Sequence, residues 1–199
     1  MVRINYIRIR TEKMSIKYIK TDIPGVLLLE PKVFKDSRGF FMETFHQNKY
    51  AEVGIDHAFI QDNYSHSTQG TLRGLHYQLK HPQGKLIYVI TGEIFDVAVD
   101  IRQGSPTFGQ CVGEYLSDQN KRQIFIPEGF AHGFCVTSET ADVLYKTTDL
   151  YNPDDEYGVL WSDPDIGIDW PVEVPIVSDK DKQYSRLKDA LETQLPIYE

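Results

Sequence analysis

Residues 95–101 read Phe-Asp-Val-Ala-Val-Asp-Ile, a run in which large apolar side chains alternate with two aspartates and an alanine. Successive side chains of a β-strand point to opposite faces, so this period of two predicts a half-buried strand. Other short stretches are rich in aromatic and β-branched residues; they lie at 26–29, 40–45, 86–90, 111–116, 123–126 and 143–147. Turn sequences separate them at 36–39, 91–92, 104–106 and 127–129.

Many short strands without alternating helices predict a mainly β fold, an antiparallel sandwich or jelly-roll barrel. Helices are expected to be few, short and peripheral, one near residues 47–53 and another near 184–191, where Leu187 and Leu191 have an i, i+4 spacing. No stretch resembles a linker, so we expect a single domain over residues 16–199. Residues 1–15 are expected to form an extension, either an extra edge strand or disordered.

Composition excludes some functions. A formal net charge of -8 disfavours binding to a nucleic-acid polymer, which needs a broad basic surface, but allows a diphosphate ligand held by a few cations. The two cysteines, Cys111 and Cys135, lie in strand-like stretches, so no disulfide framework is expected and a reducing cytoplasm fits. No run of about 18 apolar residues occurs and the basic start lacks a secretory apolar segment, so neither a membrane span nor export is predicted.

Residues 73–78, Arg-Gly-Leu-His-Tyr-Gln, contain the first candidate for chemistry. Arg73 and His76 are three positions apart and share a face of a strand only if a bulge lies at Gly74. His76 is either a hydrogen-bonded structural residue or a general base. A base would need a carboxylate beside its second ring nitrogen, and the local sequence does not show which acid that is.

Residues 127–134, Pro-Glu-Gly-Phe-Ala-His-Gly-Phe, resemble the second sequence motif of cupins, a jelly-roll superfamily in which the residue at the place of His132 can bind a metal. Metal-binding cupins also carry two histidines separated by one residue in a first motif, and here Gln78 takes the place of the second. A metal site normally needs three or four nitrogen or oxygen donors, so no metal is expected. His81 keeps open a metal site made by His76, His81 and His132.

Residues 23–181 as a whole resemble the dTDP-4-dehydrorhamnose 3,5-epimerase family of deoxysugar biosynthesis. The resemblance rests on the shared order of several segments, at 34–43, 61–63, 73–78, 84–86, 95–102, 105–109 and 126–134. It implies a cupin-type jelly roll that needs no cofactor. It also implies epimerisation of C3 and C5 of dTDP-4-dehydro-6-deoxy-glucose to dTDP-4-dehydro-L-rhamnose, on the route to dTDP-rhamnose.

The resemblance also implies catalytic roles. His76 would be the base, Asp181 its carboxylate partner, and Tyr145 the acid on the opposite face of the sugar; without the resemblance, Tyr145 would be an ordinary half-buried strand tyrosine. Hydrogens beside a ketone are acidic because the resulting carbanion delocalises onto oxygen, so the site needs an enolate stabiliser as well. Lys85 is the candidate for that role by its charge; otherwise it is a solvated lysine at a strand edge.

Substrate binding is implied for the positions that match family binding residues: Arg38, Glu43, Gln61, Asn63, Arg73, His132, Glu156 and Lys180. Arginine suits a diphosphate, and amides can contact a nucleobase edge. Arg38 and Glu43 would otherwise form a surface ion pair. Family members are homodimers in which a strand near the amino terminus crosses to the partner's site, and the same is expected here.

Three alternatives stay open from the sequence. A close variant would epimerise a single carbon of a deoxysugar. A metal-dependent cupin enzyme would use the histidine set given above. A noncatalytic jelly roll would bind the sugar nucleotide and leave its hydrogens unexchanged.

Overall fold

The computed structural model describes residues 16–198, so the predicted extension at 1–15 lies outside the described residues. Fourteen strands occur in the described part. In chain order they are β1 (Lys17–Lys20), β2 (Leu27–Glu30), β3 (Val33–Asp36), β4 (Gly39–Met42), β5 (Gln61–Thr68), β6 (Thr71–Gln78), β7 (Lys85–Thr91), β8 (Glu93–Asp100), β9 (Cys111–Ser117), β10 (Gln123–Ile126), β11 (Phe130–Val136), β12 (Thr140–Thr147), β13 (Glu156–Gly158) and β14 (Ile176–Val177). One α-helix, α1 (Gln47–Ala51), and four short 3-10 helices, Pro153–Asp155, Asp181–Gln183, Leu187–Asp189 and Glu192–Gln194, complete the elements.

The strands form two sheets that face each other. Sheet 1 has the order β1-β2-β10-β7-β12-β5, and sheet 2 has the order β13-β6-β11-β8-β9 with β14 added in parallel to β6. The hairpin β3–β4 belongs to neither sheet. All the other named pairings are antiparallel, which confirms the predicted mainly β barrel with few, short helices.

The apolar core lies between the sheets. Sheet 1 supplies inward residues such as Leu28 and Val143, and sheet 2 supplies Ile94 and Phe134, all buried in one cluster. Burying each such side chain stabilises the fold by about 1.5–3 kcal/mol. The start of β5, the start of β7 and the end of β12 lie side by side at the same end of sheet 1, because Thr147 pairs with both Gln61 and Lys85. Gln61 and Lys85, at that end, line a cavity between the sheets.

Strand β8 is buried on both faces, so the prediction of a half-buried strand was wrong. Val97 and Val99 point outward into a second cluster, where Trp170 and Leu187 from the carboxy-terminal segment cover them. On the inner face Asp96 is also fully buried. The period of two therefore predicted the strand correctly. The strand separates two buried environments, however, and neither of its faces lies against solvent.

One of the two predicted helices exists. The prediction near residues 47–53 is confirmed by α1. The prediction near 184–191 was wrong as a helix, because only a single 3-10 turn, Leu187–Asp189, forms between extended residues. The backbone N–H of Leu187 donates to the Asp163 carboxylate, so tertiary contacts hold this segment. Among residues 16–198 no helix has the length and apolar character needed to cross a membrane.

Candidate active site

A cavity of about 590 Å³ opens between the two sheets, a size that suits a small-molecule ligand. Most of the residues singled out from the sequence line it: Gln61, Asn63, Arg73, His76, Lys85, His132, Tyr145, Glu156, Lys180 and Asp181. They come from strands and loops distributed over the whole chain. The fold therefore gathers nearly all of the predicted site residues into one place.

A β-bulge brings Arg73 and His76 into the same cavity. His132 pairs with His76, but Phe134 pairs with Arg73, so β6 has one more residue than β11 in this interval. Gly74, at a φ of +132°, allows the bulge, and a Cβ there would come within 2.5 Å of the Gly133 Cα. The bulge at Gly74, which the sequence left undecided, is thus present, and Arg73 and His76 both line the cavity.

His76 is held by a carboxylate. Its Nε2 lies 2.7 Å from Oδ1 of Asp181, which is buried. Strand β14 pairs in parallel with β6 and leads into the 3-10 turn that carries Asp181. The backbone N–H of Gly74 also donates to Asp181, at 3.2 Å. The carboxylate partner that a histidine base requires is therefore in contact with the ring.

The Asp181 carboxylate favours one histidine tautomer while the ring stays in contact with it. Burial raises the pKa of Asp181, but the hydrogen bond and charge of His76, with donors from Gly74 and Ser178, outweigh burial and hold that pKa below its usual value. An ionised carboxylate accepts the Nε2 proton, which leaves the lone pair of a neutral ring on Nδ1. Nδ1 lies 3.9 Å from Oε1 of Glu156, which also lines the cavity. The ring is thus arranged to accept a proton at Nδ1.

Tyr145 lines the cavity from the facing sheet. It lies on β12 of sheet 1, whereas His76 lies on β6 of sheet 2, so the two residues belong to opposite walls. Burial raises the pKa of Tyr145, with a smaller lowering by Arg73 and a raising by Glu156. The phenol therefore keeps its proton at neutral pH, as a group that returns a proton must.

Lys85 places a positive charge in the cavity. Burial lowers its pKa to about 8, although the charges of Asp96 and Glu156 act in the opposite direction. At neutral pH the ammonium is still mostly protonated. In a site with little water, such a charge stabilises a developing oxyanion strongly.

Asp96 is a residue of the site that sequence reasoning missed. It is fully buried, and its Oδ2 lies 2.9 Å from Nε2 of His132. Its Oδ1 has no hydrogen-bond partner in the described part of the chain. The pKa of His132 lies below its usual value. Burial lowers it most, the charges of Lys85 and His76 lower it further, and Asp96 offsets only part of this effect. An aspartate on the inward face of an apolar strand was the signal that could have identified it.

The rim of the cavity is polar. Oε2 of Glu156 accepts hydrogen bonds from the Tyr151 hydroxyl at 2.7 Å and from Nζ of Lys180 at 2.5 Å. Nε2 of Gln61 donates to Oδ1 of Asn63 at 2.9 Å. Tyr151, which the sequence did not single out, also lines the cavity. The rim thus offers a cation and amides next to an aromatic ring.

Two predicted binding residues lie away from this cavity. Arg38, at the turn of the β3–β4 hairpin, has an 88% exposed side chain and an ion pair with Asp36. Glu43 follows the hairpin and pairs with Lys49. Within this chain neither residue belongs with the others, so their role in binding stays a prediction that depends on a partner.

The family can be identified from comparison with known proteins. The family model for dTDP-4-dehydrorhamnose 3,5-epimerase matches residues 20–189. The chain belongs to this epimerase family. A curated dTDP-4-dehydrorhamnose 3,5-epimerase from Shigella flexneri is 59% identical over 174 residues, which cover 86% of this chain and 96% of the relative. The predicted enzyme class, an isomerase, is thereby confirmed.

Solved structures confirm the epimerase fold. The crystal structure of dTDP-6-deoxy-D-glucose-3,5-epimerase from Legionella pneumophila Philadelphia 1, in complex with dTDP-4-keto-L-rhamnose, matches with a TM-score of 0.90. It is 50% identical, and the match covers 92% of this chain and 99% of that one. The predicted cupin-type jelly roll is thus confirmed.

A relative from Streptomyces niveus, named dTDP-4-dehydrorhamnose 3-epimerase, is 37% identical over 179 residues, 88% of this chain and 86% of the relative.

The histidines of the alternative metal site are not assembled in this epimerase. His76 and His132 each contact a carboxylate, at Asp181 and Asp96. His81 lies apart from the described cavity lining, with its Nδ1 3.5 Å from Oδ2 of Asp149. Among residues 16–198 no group of three or more histidine, cysteine, aspartate or glutamate side chains has the arrangement of a metal site.

Proposed function

We propose that this chain epimerises C3 and C5 of dTDP-4-dehydro-6-deoxy-glucose to dTDP-4-dehydro-L-rhamnose, in the biosynthesis of dTDP-rhamnose. The observation that carries the proposal is the 2.7 Å contact between His76 and Asp181 in a cavity whose opposite wall carries Tyr145. A base and an acid on opposite walls match what inversion requires, because the proton must leave one face of a carbon and return to the other. The related epimerases from Shigella flexneri and Legionella pneumophila support the same reaction.

The proposed mechanism assigns one role to each group. Nδ1 of His76 removes the proton from C3 or C5, and Asp181 stabilises the imidazolium that forms. The electron pair moves onto the C4 oxygen, and the nearby ammonium of Lys85 stabilises the enolate. Tyr145 then donates its proton to the opposite face of the same carbon. The mechanism uses only side chains of the protein and the ketone of the substrate, without a cofactor.

The proposed binding mode follows the charges around the cavity. Arg73 on the cavity wall and Lys180 at the rim are cations suited to the diphosphate. Gln61 and Asn63 carry amides for the polar edge of the base. His132, buried beside Lys85, is suited to contact the sugar. Glu156 would accept hydrogen bonds from the substrate once its own partners at the rim are released.

The product distinguishes this proposal from its nearest alternative. Incubation with dTDP-4-dehydro-6-deoxy-glucose, followed by borohydride reduction and sugar analysis, should give L-rhamnose and its C4 epimer, because inversion of C5 converts the D-series sugar to the L-series. Products that stay in the D-series but are inverted at C3 would establish the single-carbon epimerase, the activity in the name of the Streptomyces niveus relative. Recovery of only the reduced starting sugars would overturn both.

Lys85 should give the reaction a basic pH limit. The buried ammonium loses its proton as pH rises through about 8, so kcat/KM should be high below that pH and fall above it. Lys85→Arg keeps the charge, so the decline of kcat/KM at high pH should disappear. Its kcat/KM should be lower than that of the wild type at neutral pH. Lys146→Arg, on the outer face of β12 with an ion pair to Asp62, is the matched control and should keep the wild-type profile. An identical decline in wild type and Lys85→Arg would assign the limit to another group.

A homodimer with an exchanged amino-terminal strand is part of the proposal. The β3–β4 hairpin exposes Phe34, Phe40 and Phe41, the last at 66%. Exposed aromatics grouped in this way are typical of a surface that packs against another protein. The same hairpin carries Arg38, and Glu43 follows it directly. Packing on a second copy would bury the aromatics and bring both polar residues to the partner's cavity.

Subunit mixing tests this exchange. Arg38→Ala and His76→Ala should each be nearly inactive as homodimers. Refolded together, about half of the dimers are mixed, and each mixed dimer has one site with both residues intact, so about a quarter of wild-type activity should return. Mixing His76→Ala with Tyr145→Phe is the control and should restore nothing, since both residues line the cavity of the same chain. No recovery in the first mixture would exclude a shared site.

The proposed place of action is the cytoplasm. Cys111 and Cys135 are both free thiols in the structure. Thiols persist in reducing compartments, where disulfides are rare. The proposed substrate is a nucleotide sugar, which fits the same compartment.

A further inference from the structure

Tyr184 packs against the proposed base. Its ring lies edge to face with the His76 imidazole, with centroids 5.9 Å apart and an interplanar angle of 70°. Tyr184 directly follows the short 3-10 turn Asp181–Gln183. One turn therefore delivers both the carboxylate that binds the edge of the imidazole and the aromatic ring that packs on it.

Gly158 creates the space for this ring. In the β13–β6 pair Gly158 lies directly opposite His76. A Cβ on Gly158 would come within 2.3 Å of the Tyr184 ring, closer than any real contact. The Tyr184 ring is therefore confined between the backbone of β13 and the imidazole, and it has little freedom to move away from His76.

The Tyr184 Oη is buried and has no hydrogen-bond partner among the described residues. Tyr184 is also not one of the described residues that line the cavity, so it is separated from the space proposed for the sugar. The contact that remains to explain its position is the packing of its ring on His76.

We propose that Tyr184 is a positioning residue, whose ring holds the His76 imidazole with Nε2 on Asp181 and Nδ1 facing the sugar. The inference rests on the proposed function of His76 as the base. One hydrogen bond at Nε2 leaves the ring free to tilt about that contact, and an aromatic edge against the ring removes this freedom. Small displacements of a reacting group lower the rate by large factors, so removal of the Tyr184 ring should lower kcat measurably.

Truncation and rescue test the role. Tyr184→Ala should lower kcat at least about tenfold with KM changed less than about twofold, because the base is misplaced while the binding groups stay. Tyr184→Phe keeps the ring and removes only an unpartnered hydroxyl, so its kcat should stay within about twofold of wild type. Nitrogen NMR of His76 should show the Nε2-protonated tautomer in wild type and Tyr184→Phe, and a mixture of tautomers in Tyr184→Ala.

Tyr157→Ala is the matched control. Tyr157 precedes Gly158, stacks on Tyr77 with ring centroids 5.7 Å apart, and is not one of the described residues that line the cavity. Its truncation should lower thermal stability without changing kcat or the tautomer of His76. If Tyr184→Ala does not fold, Tyr184→Leu keeps an apolar side chain but lacks the ring that reaches His76, and it carries the same expectation for kcat.

Two results would overturn the inference. Equal loss of kcat in Tyr184→Phe and Tyr184→Ala would show that the hydroxyl acts in the reaction. Full kcat with an unchanged tautomer in Tyr184→Ala would show that Asp181 alone orients the ring. The NMR measurement needs no substrate, so it still tests the positioning of His76 if the wild-type protein fails to epimerise the proposed sugar.

Discussion

His76→Ala should abolish turnover, lowering kcat by at least about a hundredfold, because a general base contributes about 10²–10⁴ to the rate. Binding of dTDP should be nearly unchanged, since the base acts mainly in the transition state. The measurement is a comparison of kcat from product formation with the dTDP dissociation constant from calorimetry. Deletion of the ring removes the group that Asp181 holds and leaves the cations of the cavity in place.

His66→Ala is the matched control for His76. His66 lies on β5 with its ring exposed and its Nδ1 2.8 Å from Oδ1 of Asp142, outside the described lining of the cavity. This variant should turn over like the wild type. Retention of more than about a tenth of wild-type activity in His76→Ala would show that another group removes the proton.

Tyr145→Phe should separate the two halves of the reaction. Loss of the hydroxyl should lower product formation by about a hundredfold, because the opposite face of the carbon has no donor. Exchange with solvent should persist at a higher rate, since His76 can remove a proton and return a deuteron to the same face. The measurement compares deuterium entry into recovered substrate with the appearance of inverted product.

Tyr64→Phe controls for the loss of a hydroxyl. Tyr64 lies on β5, opposite Leu144 of β12. It is exposed, and its hydroxyl donates to Asp142 at 2.6 Å. Both exchange and product formation should stay at the wild-type level in this variant. If Tyr145→Phe lost exchange and product formation equally, Tyr145 would serve to position the sugar and not to donate a proton.

The fold was largely accessible from local patterns. Strands such as Gln123–Ile126 appear where aromatic and β-branched residues cluster between turn sequences. The burial of both faces of β8 was not accessible, because it depends on a distant segment around Trp170 and Leu187. For the same reason the spacing of Leu187 and Leu191 predicted a helix that tertiary hydrogen bonds replace.

The site was only partly accessible from the residues themselves. His76 could be recognised as a candidate, but its partner Asp181 is 105 positions away and reaches it through the parallel pairing of β14 with β6. The position of Asp181 came from the family resemblance, and the 2.7 Å contact agrees with it. No pattern pointed to Tyr184, whose contact with His76 exists only in the folded chain.

The role of Arg38 illustrates a different limit. Within one chain its side chain is exposed and paired with Asp36, whereas the surface ion-pair interpretation joined it to Glu43. Its assignment to a binding site needs a second copy of the chain, because within one chain Arg38 does not line the cavity and its hairpin pairs with neither sheet. Neither local sequence nor a single folded chain determines which site such a residue completes.

The most direct test of the account is proton NMR of dTDP-4-dehydro-6-deoxy-glucose with chelator-treated enzyme in heavy water. The account predicts that the C3 and C5 hydrogen signals both disappear at catalytic rates, because His76 removes a proton from each of the two carbons that flank the ketone. Loss of the signal at one carbon alone would contradict the double epimerisation. Persistence of both signals would contradict the assignment of His76 as a base acting without a metal.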